Sequence, residues 1–400
     1  MSLATSPQAT VAPVDGLRRE AQLLLCCART VLDDEARRRA TSLLSEELDW
    51  GYFLRLVTKH RVVPLVHRCL KDAGFDGVPA GTVSILTQQH DHIARRNLFL
   101  TGRLVELLRL LATENVRAIA YKGPAIAAVA YANINLRQFW DLDVLVHPRD
   151  YRRARHLLVS RGGYRLRENW GWECSLIDAT GIVFVDLHRY IAADVWPGGL
   201  WFHRLWNRRA QAASAGGIPT LSAEDMLVVL TIQLRKDAKE LRLSKVCDIA
   251  ELLRVRPTLD WNAVTAAARR LGCQRALSLA VTVAQELLGA PVDATIAGFA
   301  DNAQIRLLVE YVCRRLFADD RTIASLPMSH EGFQFRVRER WRDRLYSWYS
   351  RPGVRKFVRH FRPSAKDRSM IALPARLSFL YYLVRPIRVG RDYTRSWFKG

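Results

Sequence analysis

The sequence predicts an α+β protein in which a small mixed sheet sits between two mainly α-helical regions. Three observations carry that expectation. Apolar residues recur at helical spacing from about Gly16 to Leu111. At Val116 the pattern changes to short strand-like runs separated by helices. From Leu221 onward it is helical again. The middle stretch reads strand, helix, strand, helix, strand, strand, which places a small α/β unit on one sheet.

Residues 1–15 are small and polar, with Pro7 and Pro13, and are expected to be disordered. In the helical region over 16–114, Leu23, Leu24 and Cys27 recur at helical spacing, as do Leu54, Leu56 and Val57. Asn97 to Thr113 reads as a long amphipathic helix with Leu98, Leu100, Leu104, Leu107, Leu108 and Leu111 as its core positions. The α/β domain is expected over 115–215. Val116 to Tyr121 is its first strand, Lys122-Gly123-Pro124 a turn, and Pro124 suits the first position of a helix running to Tyr131. Phe139 to Val146 is the second strand. Pro148 opens a helix to about Ser160, ended by Gly162-Gly163. Tyr164 to Leu176 gives one or two strands and Gly181 to His188 another. A second helical domain over 216–330 starts with Ser222 as N-cap and Asp225 at the capping-box position, and continues to about Phe317. The remainder, 331–400, is rich in Arg and aromatics and is cut by Pro363, Pro374 and Pro386.

Every long apolar stretch is broken by Lys, Arg or Pro well short of the roughly 20 residues a membrane-spanning helix needs. The N-terminus lacks a basic region followed by an apolar core, so a cytoplasmic protein is expected. The cysteines, seven in number, include no C-x-x-C pair and read as buried reduced thiols. The charge is +22, and the segment 331–400 alone carries 18 Lys+Arg against 5 Asp+Glu, more than half the surplus. Such a segment suits nucleic acid, an anionic membrane surface or an acidic partner, or is simply a solvated basic face.

The chemistry-bearing residues centre on Asp141-Leu142-Asp143. Side chains alternate faces along a strand, so the two acids project to the same side and repel each other. A divalent cation relieves that repulsion, and hard oxygen ligands suit Mg²⁺. Asp186 ends the apolar run Ile182 to Val185, where a charge is costly unless paired or metal-bound. A structural ion pair and a metal role are both open for it alone; with the doublet, it makes a third carboxylate. Lys122-Gly123 is a candidate phosphate grip, with a tight turn and a surface lysine as the plain alternative. Arg137, four residues before Asp141, either stabilises a transferring phosphoryl group or neutralises the acids. His188, on the strand face of Asp186, is a candidate partner or base beside the ligands.

Taken together, Tyr121-Lys122-Gly123, Arg137, Asp141 to Val146 and Val185-Asp186-Leu187-His188 resemble the uncharacterised bacterial nucleotidyltransferase family of the DNA polymerase β-like superfamily. Lys59 to Leu65, Leu221 to Asp225, Leu243 to Leu253, Leu373-Pro374 and Leu380 to Pro386 are supporting echoes. The resemblance implies a nucleotidyltransferase palm in the sheet domain, with the domain after it completing a nucleotide cleft. It implies Mg²⁺, or Mn²⁺, on Asp141, Asp143 and Asp186. The implied reaction passes a nucleoside monophosphate from an NTP such as ATP to an acceptor hydroxyl with release of pyrophosphate. The acceptor is left open among a small molecule, a sugar, a peptide and an RNA. Lys245 and Asp248, at i,i+3 on a helix, are implied to face the nucleotide, against the alternative of a surface salt bridge. The helix around Gln233 lacks a histidine that the family leads one to expect. The rival reading is a non-catalytic protein that binds nucleic acid or a membrane surface through 331–400, where Arg376 to Arg388 interleaves aromatics with arginines.

Overall fold

In the computed structural model, the residues described are 16–191, 199–212, 217–293, 302–318 and 326–349. The expected disorder of 1–15, and the basic segment beyond residue 349, lie outside them. Four short helices come first: α1 (Arg19–Cys27), α2 (Asp34–Leu44), α3 (Trp50–His60) and α4 (Val63–Asp72). Acidic side chains start two of them. Asp33 accepts a hydrogen bond from Ala36 N at 2.7 Å and Asp49 one from Tyr52 N at 2.8 Å, each satisfying an N–H that the helix itself leaves unpaired.

The long helix α5 (Ala80–Thr113) begins 17 residues before the amphipathic stretch that the leucines mark. Leu100, Leu104, Leu107, Leu108 and Leu111 are buried, but Leu98 is 67% exposed. At about 100° per residue, Leu98 stands roughly 200° around the helix from Leu100 and misses the core stripe. Asn97 is fully buried on this helix, and its side-chain amide donates to the carbonyls of Ile134 (2.7 Å) and Arg137 (2.8 Å). It thereby ties α5 to the loop that leads into the second strand.

The sheet follows: β1 (Ala118–Ala120), α6 (Pro124–Ala130), β2 (Asp141–Val146), α7 (Tyr151–Ser160), β3 (Tyr164–Asn169), β4 (Glu173–Asp178), β5 (Phe184–His188), α8 (Gly199–Asn207), β6 (Ala210–Ala212) and β7 (Ile218–Thr220). The strands form one seven-stranded mixed sheet in the order β3-β4-β5-β2-β1-β7-β6. β2 runs antiparallel to β1 and parallel to β5. The α+β class and the first five strands follow the sequence pattern. The last two do not: β6 and β7 are three residues each, too short for periodicity to register, and β7 pairs with β1 through Ala120 and Thr220. The sheet therefore reaches Thr220, beyond residue 215.

Helices return with α9 (Ala223–Lys236), a 3₁₀ turn (Ala238–Glu240), α10 (Leu243–Val255), α11 (Trp261–Leu271), α12 (Gln274–Leu288), α13 (Ala303–Phe317) and α14 (His330–Val337). Ser222 caps α9 as its sequence suggests, its hydroxyl accepting from Asp225 N at 3.3 Å. Helix α10 packs on α6, α9 and α12, and α12 reaches α1. One continuous core of buried apolar side chains thus runs from Ala21 to Val337. Burying a leucine or isoleucine contributes roughly 1.5–3 kcal/mol. Residues up to Glu339 form one compact unit and 340–400 a second, whose described helix is α15 (Trp341–Tyr349). All seven cysteines are buried and unpaired by disulfides. No helix among the described residues is long and apolar enough to cross a membrane.

Asn97→Ala leaves two loop carbonyls without their donor and is expected to destabilise the protein by roughly 1–3 kcal/mol. Urea denaturation of the purified variant measures the loss. Asn97→Asp, which sets a carboxylate against the same two carbonyls, is expected to be worse.

Candidate active site

The site is built on the parallel pairing of β2 with β5, in which Asp143 lies opposite Asp186. Leu142 and Val144 point the other way and are fully buried, which fixes the face that the acids occupy. His188 follows on the same face of β5. Ligand atoms of Asp143, Asp186 and His188 come within 4.8 Å of one another, the metal-sized group found among the described residues. Asp141 stands outside this cluster, at the accessible mouth two residues earlier on the same face. The structure thus brings together Asp143 and Asp186, both singled out by the sequence, and sets His188 directly among them.

Asp143 is 2% exposed and its charge is compensated twice. Lys122 Nζ lies 2.5 Å from its Oδ1, and His188 Nε2 lies 2.9 Å from the same oxygen. Burial opposes its ionisation, but Lys122 and His188 together hold it well below the usual carboxylate range. Lys122 loses water too, yet Asp143 holds its pKa well above the ordinary lysine value. His188 is likewise raised: burial disfavours its charged form, and Asp143 with Glu173, 3.1 Å from Nδ1, more than offset that. Asp141 and Asp186 move in the other direction. Both are raised by loss of water and by repulsion from Asp143. The pair thus sits in a field that favours an added cation.

Lys122 is consequently a counter-ion to Asp143, which differs from a free phosphate grip. Gly123 adopts φ +52, a backbone region that L side chains rarely take, and a Cβ there would stand 3.0 Å from the Asp141 carbonyl oxygen. The glycine is needed for the close passage of two chain segments. Arg137, a candidate for the phosphoryl group or for the acids, and Asp248, assigned to the nucleotide by resemblance, bind each other: Nε to Oδ1 at 2.7 Å and Nη2 to Oδ2 at 2.9 Å, with Tyr131 Oη donating to Asp248 at 2.9 Å. Asp248 is fully buried beneath the cleft. It reaches the site through Arg137, which does border the cleft.

That cleft has a volume of about 510 Å³. Among the described residues its wall carries seven basic side chains (Arg61, Lys122, Arg137, Lys236, Lys239, Arg242 and Lys245) against four acids (Asp141, Asp143, Asp237 and Glu240), so it is net positive. Sequence pattern does not single out Arg61, Lys236, Lys239 or Arg242. The regular spacing of Lys236, Lys239 and Arg242 around the 3₁₀ turn is the signal that could have found three of them. Arg61 ends α3 in the left-handed region at φ 56, a strained setting that turns it toward the cleft. Lys245 is on the wall, 3.2 Å from Asp237. Gln233 borders the cleft where the histidine is missing, its buried amide donating to the Ile191 carbonyl at 3.4 Å.

A family model described as "Uncharacterised nucleotidyltransferase" matches residues 46–289, which include the whole sheet and the helices that wall the cleft. The chain belongs to this nucleotidyltransferase family. It is accordingly a transferase. No curated protein and no solved structure matches it.

The cleft wall also depends on His60. Its Nδ1 accepts from Leu243 N at 3.1 Å, the first N–H of α10, which only a neutral imidazole can do. Burial, aided by Lys59 and Arg242, pushes its pKa down to about 3. The unfolded imidazole takes a proton near 6.5. Between those values the unfolded chain binds a proton that the folded chain refuses, so stability falls as pH drops from about 6.5 toward 3. Urea midpoints measured across that interval are expected to decline, and His60→Gln, which keeps an acceptor but cannot titrate, is expected to flatten this part of the curve.

Proposed function

We propose that the protein transfers the nucleoside monophosphate of an NTP to an acceptor hydroxyl and releases pyrophosphate, using Mg²⁺ or Mn²⁺. One observation carries this reading: Asp143, paired in register with Asp186, lines a cleft together with Asp141 and seven basic side chains. A two-carboxylate floor suits a hard cation, and the wall suits three phosphates.

The donor set fits the metal. Lys122 and His188 both contact Oδ1 of Asp143, so Asp143 and Asp186 would hold the ion by carboxylate oxygens, with Asp141 nearby at the mouth. His188 spends Nε2 on Asp143, which makes it an orienting partner and leaves an all-oxygen set of the kind magnesium takes. When bound, the ion neutralises charge on the phosphates and makes the acceptor oxygen a better nucleophile.

The remaining work belongs to the chain. Arg61, Lys236, Lys239, Arg242 and Lys245 attract the triphosphate and hold its charge. The volume of the cleft, about 510 Å³, lies in the range of roughly 300–1,000 Å³ in which pockets enclose small ligands. Arg137, locked by Asp248, presents one fixed guanidinium at the cleft wall. The carboxylates are positioned before substrate arrives, since β2 and β5 hold them in register. Catalysis then rests on positioning and charge neutralisation.

Incubation with α-labelled NTP, Mg²⁺ and a panel of hydroxyl acceptors tests the reading. Label is expected to pass to an acceptor in the wild type. Asp143→Asn is expected to lower the rate by about 100-fold or more, as removal of several kcal/mol of metal-borne stabilisation requires. If Asp143→Asn and Asp186→Asn both match wild type in NTP–Mg²⁺ binding and in transfer, the proposal fails.

Arg242→Ala, which leaves the carboxylates intact, is expected to raise the KM for NTP about tenfold with kcat changed about twofold at most, the pattern of lost uniform binding. Initial rates at varied NTP settle it.

A further inference from the structure

A second pocket, of about 430 Å³, opens beside the nucleotide cleft. Gln138 lines both spaces. Trp140 lines the second, and the next residue, Asp141, lines the first. The rest of the second wall comes from α3, α4 and α5, and so from the helical region that precedes the sheet. We infer that this pocket binds the acceptor, and that the acceptor is an uncharged sugar or sugar-like polyol. The inference rests on the nucleotidyl-transfer reading above.

Three properties of the wall point to that chemistry. The first is a fixed aromatic plate. The Arg96 guanidinium stacks over the Trp140 ring at 4.4 Å, and its Nη2 donates to the Trp140 carbonyl at 3.4 Å, so the indole is held from behind. Val63 and Ile93 extend this apolar surface. A sugar ring has an apolar C–H face that packs on such a plate. The second is a set of neutral hydrogen-bonding groups. Gln89 and Gln138 each carry a buried amide oxygen without a hydrogen-bond partner. Unmatched acceptors of that kind cost free energy until a donor arrives, and sugar hydroxyls are donors. The third is charge. Among the described residues no Asp or Glu lines the pocket, Arg95 does, and the adjoining cleft is net positive. A polycationic acceptor such as an aminoglycoside would meet like charge with no carboxylate to pair it.

The chemistry balances without further reactants. A sugar hydroxyl oxygen bonds to the α-phosphorus, the bond from that phosphorus to the oxygen bridging to the β-phosphate breaks, pyrophosphate leaves, and the hydroxyl proton goes to solvent.

Saturation-transfer NMR on the full chain tests the assignment. The sample holds Mg²⁺, a non-hydrolysable α,β-methylene NTP, and in turn neutral mono- and disaccharides and an aminoglycoside. Saturation is expected to pass to ring protons of at least one neutral sugar. Binding of that sugar is expected to weaken tenfold or more in Trp140→Ala and in Gln89→Leu, the second of which leaves the indole in place. Nucleotide signals are expected to be the same in all three proteins. Nucleotide signals with none from any neutral sugar overturn the inference and leave the transfer reading standing. The inference is equally overturned if the aminoglycoside binds in preference, or if sugar binding ignores both substitutions. Loss of the nucleotide signals from wild type sinks the transfer reading and this inference with it.

Discussion

Carboxylates crowded on one face of two adjacent strands must be neutralised, and the molecule is arranged around that requirement. Asp143 cannot remain ionised at 2% exposure without partners. Lys122, at the end of β1, and His188, at the end of β5, supply them from both sides of β2. The strand order β5-β2-β1 is what brings a lysine and a histidine to flank one aspartate. The compensation is uneven. Asp143 is held firmly ionised, while Asp141 and Asp186 are left with raised pKa values and no comparable partner. A floor of that kind is already folded but still electrostatically incomplete, which is the state expected of a cation site.

The second constraint is that the wall must stay in place above the floor. Arg137 enters from the loop before β2, and Asp248 from the middle of α10; their two-bond pair joins the sheet to the later helices. Removing one partner of such a pair typically costs about 3–5 kcal/mol, because the other is left buried and unpaired. Two smaller ties act with it. Asn97 holds the loop that carries Arg137, and His60 holds the first turn of α10. The helical region before the sheet thereby sets the geometry of the cleft without touching the carboxylates. That explains why the core is continuous from Ala21 to Val337.

The local part of this design is legible in the sequence. Two-residue alternation places Asp141 and Asp143 on one face, and an acid after four apolar residues marks Asp186. The cap at Ser222 and the helix start at Pro124 depend only on adjacent residues. What depends on pairing across the chain is not legible. The register that sets Asp143 against Asp186 joins residues 43 apart, and nothing in either segment states it. Lys122 has the sequence setting of a phosphate ligand because its partner lies 21 residues on; Arg137 and Asp248 read as separate ligands because their bond spans 111. Arg61 gives no signal, since its use depends on a left-handed turn that its side chain does not favour.

The division of charge is the feature that links these parts to the proposed reaction. Basic side chains gather on the wall built by α9, the 3₁₀ turn and α10, while the neighbouring pocket is walled mainly by Trp140, amides and aliphatic groups, with Arg95 and His92 and no acid among the described residues. An NTP and an uncharged acceptor would therefore be sorted by electrostatics before either is positioned. Gln138 lines both spaces, and Asp141 lies on the cleft side, immediately after the indole of the other. The accessibility of Asp141 follows from that place. A carboxylate buried as deeply as Asp143 could not face an arriving acceptor. On the proposed reading, the doublet divides two tasks between two residues of one strand: Asp143 anchors the floor and Asp141 meets the substrates.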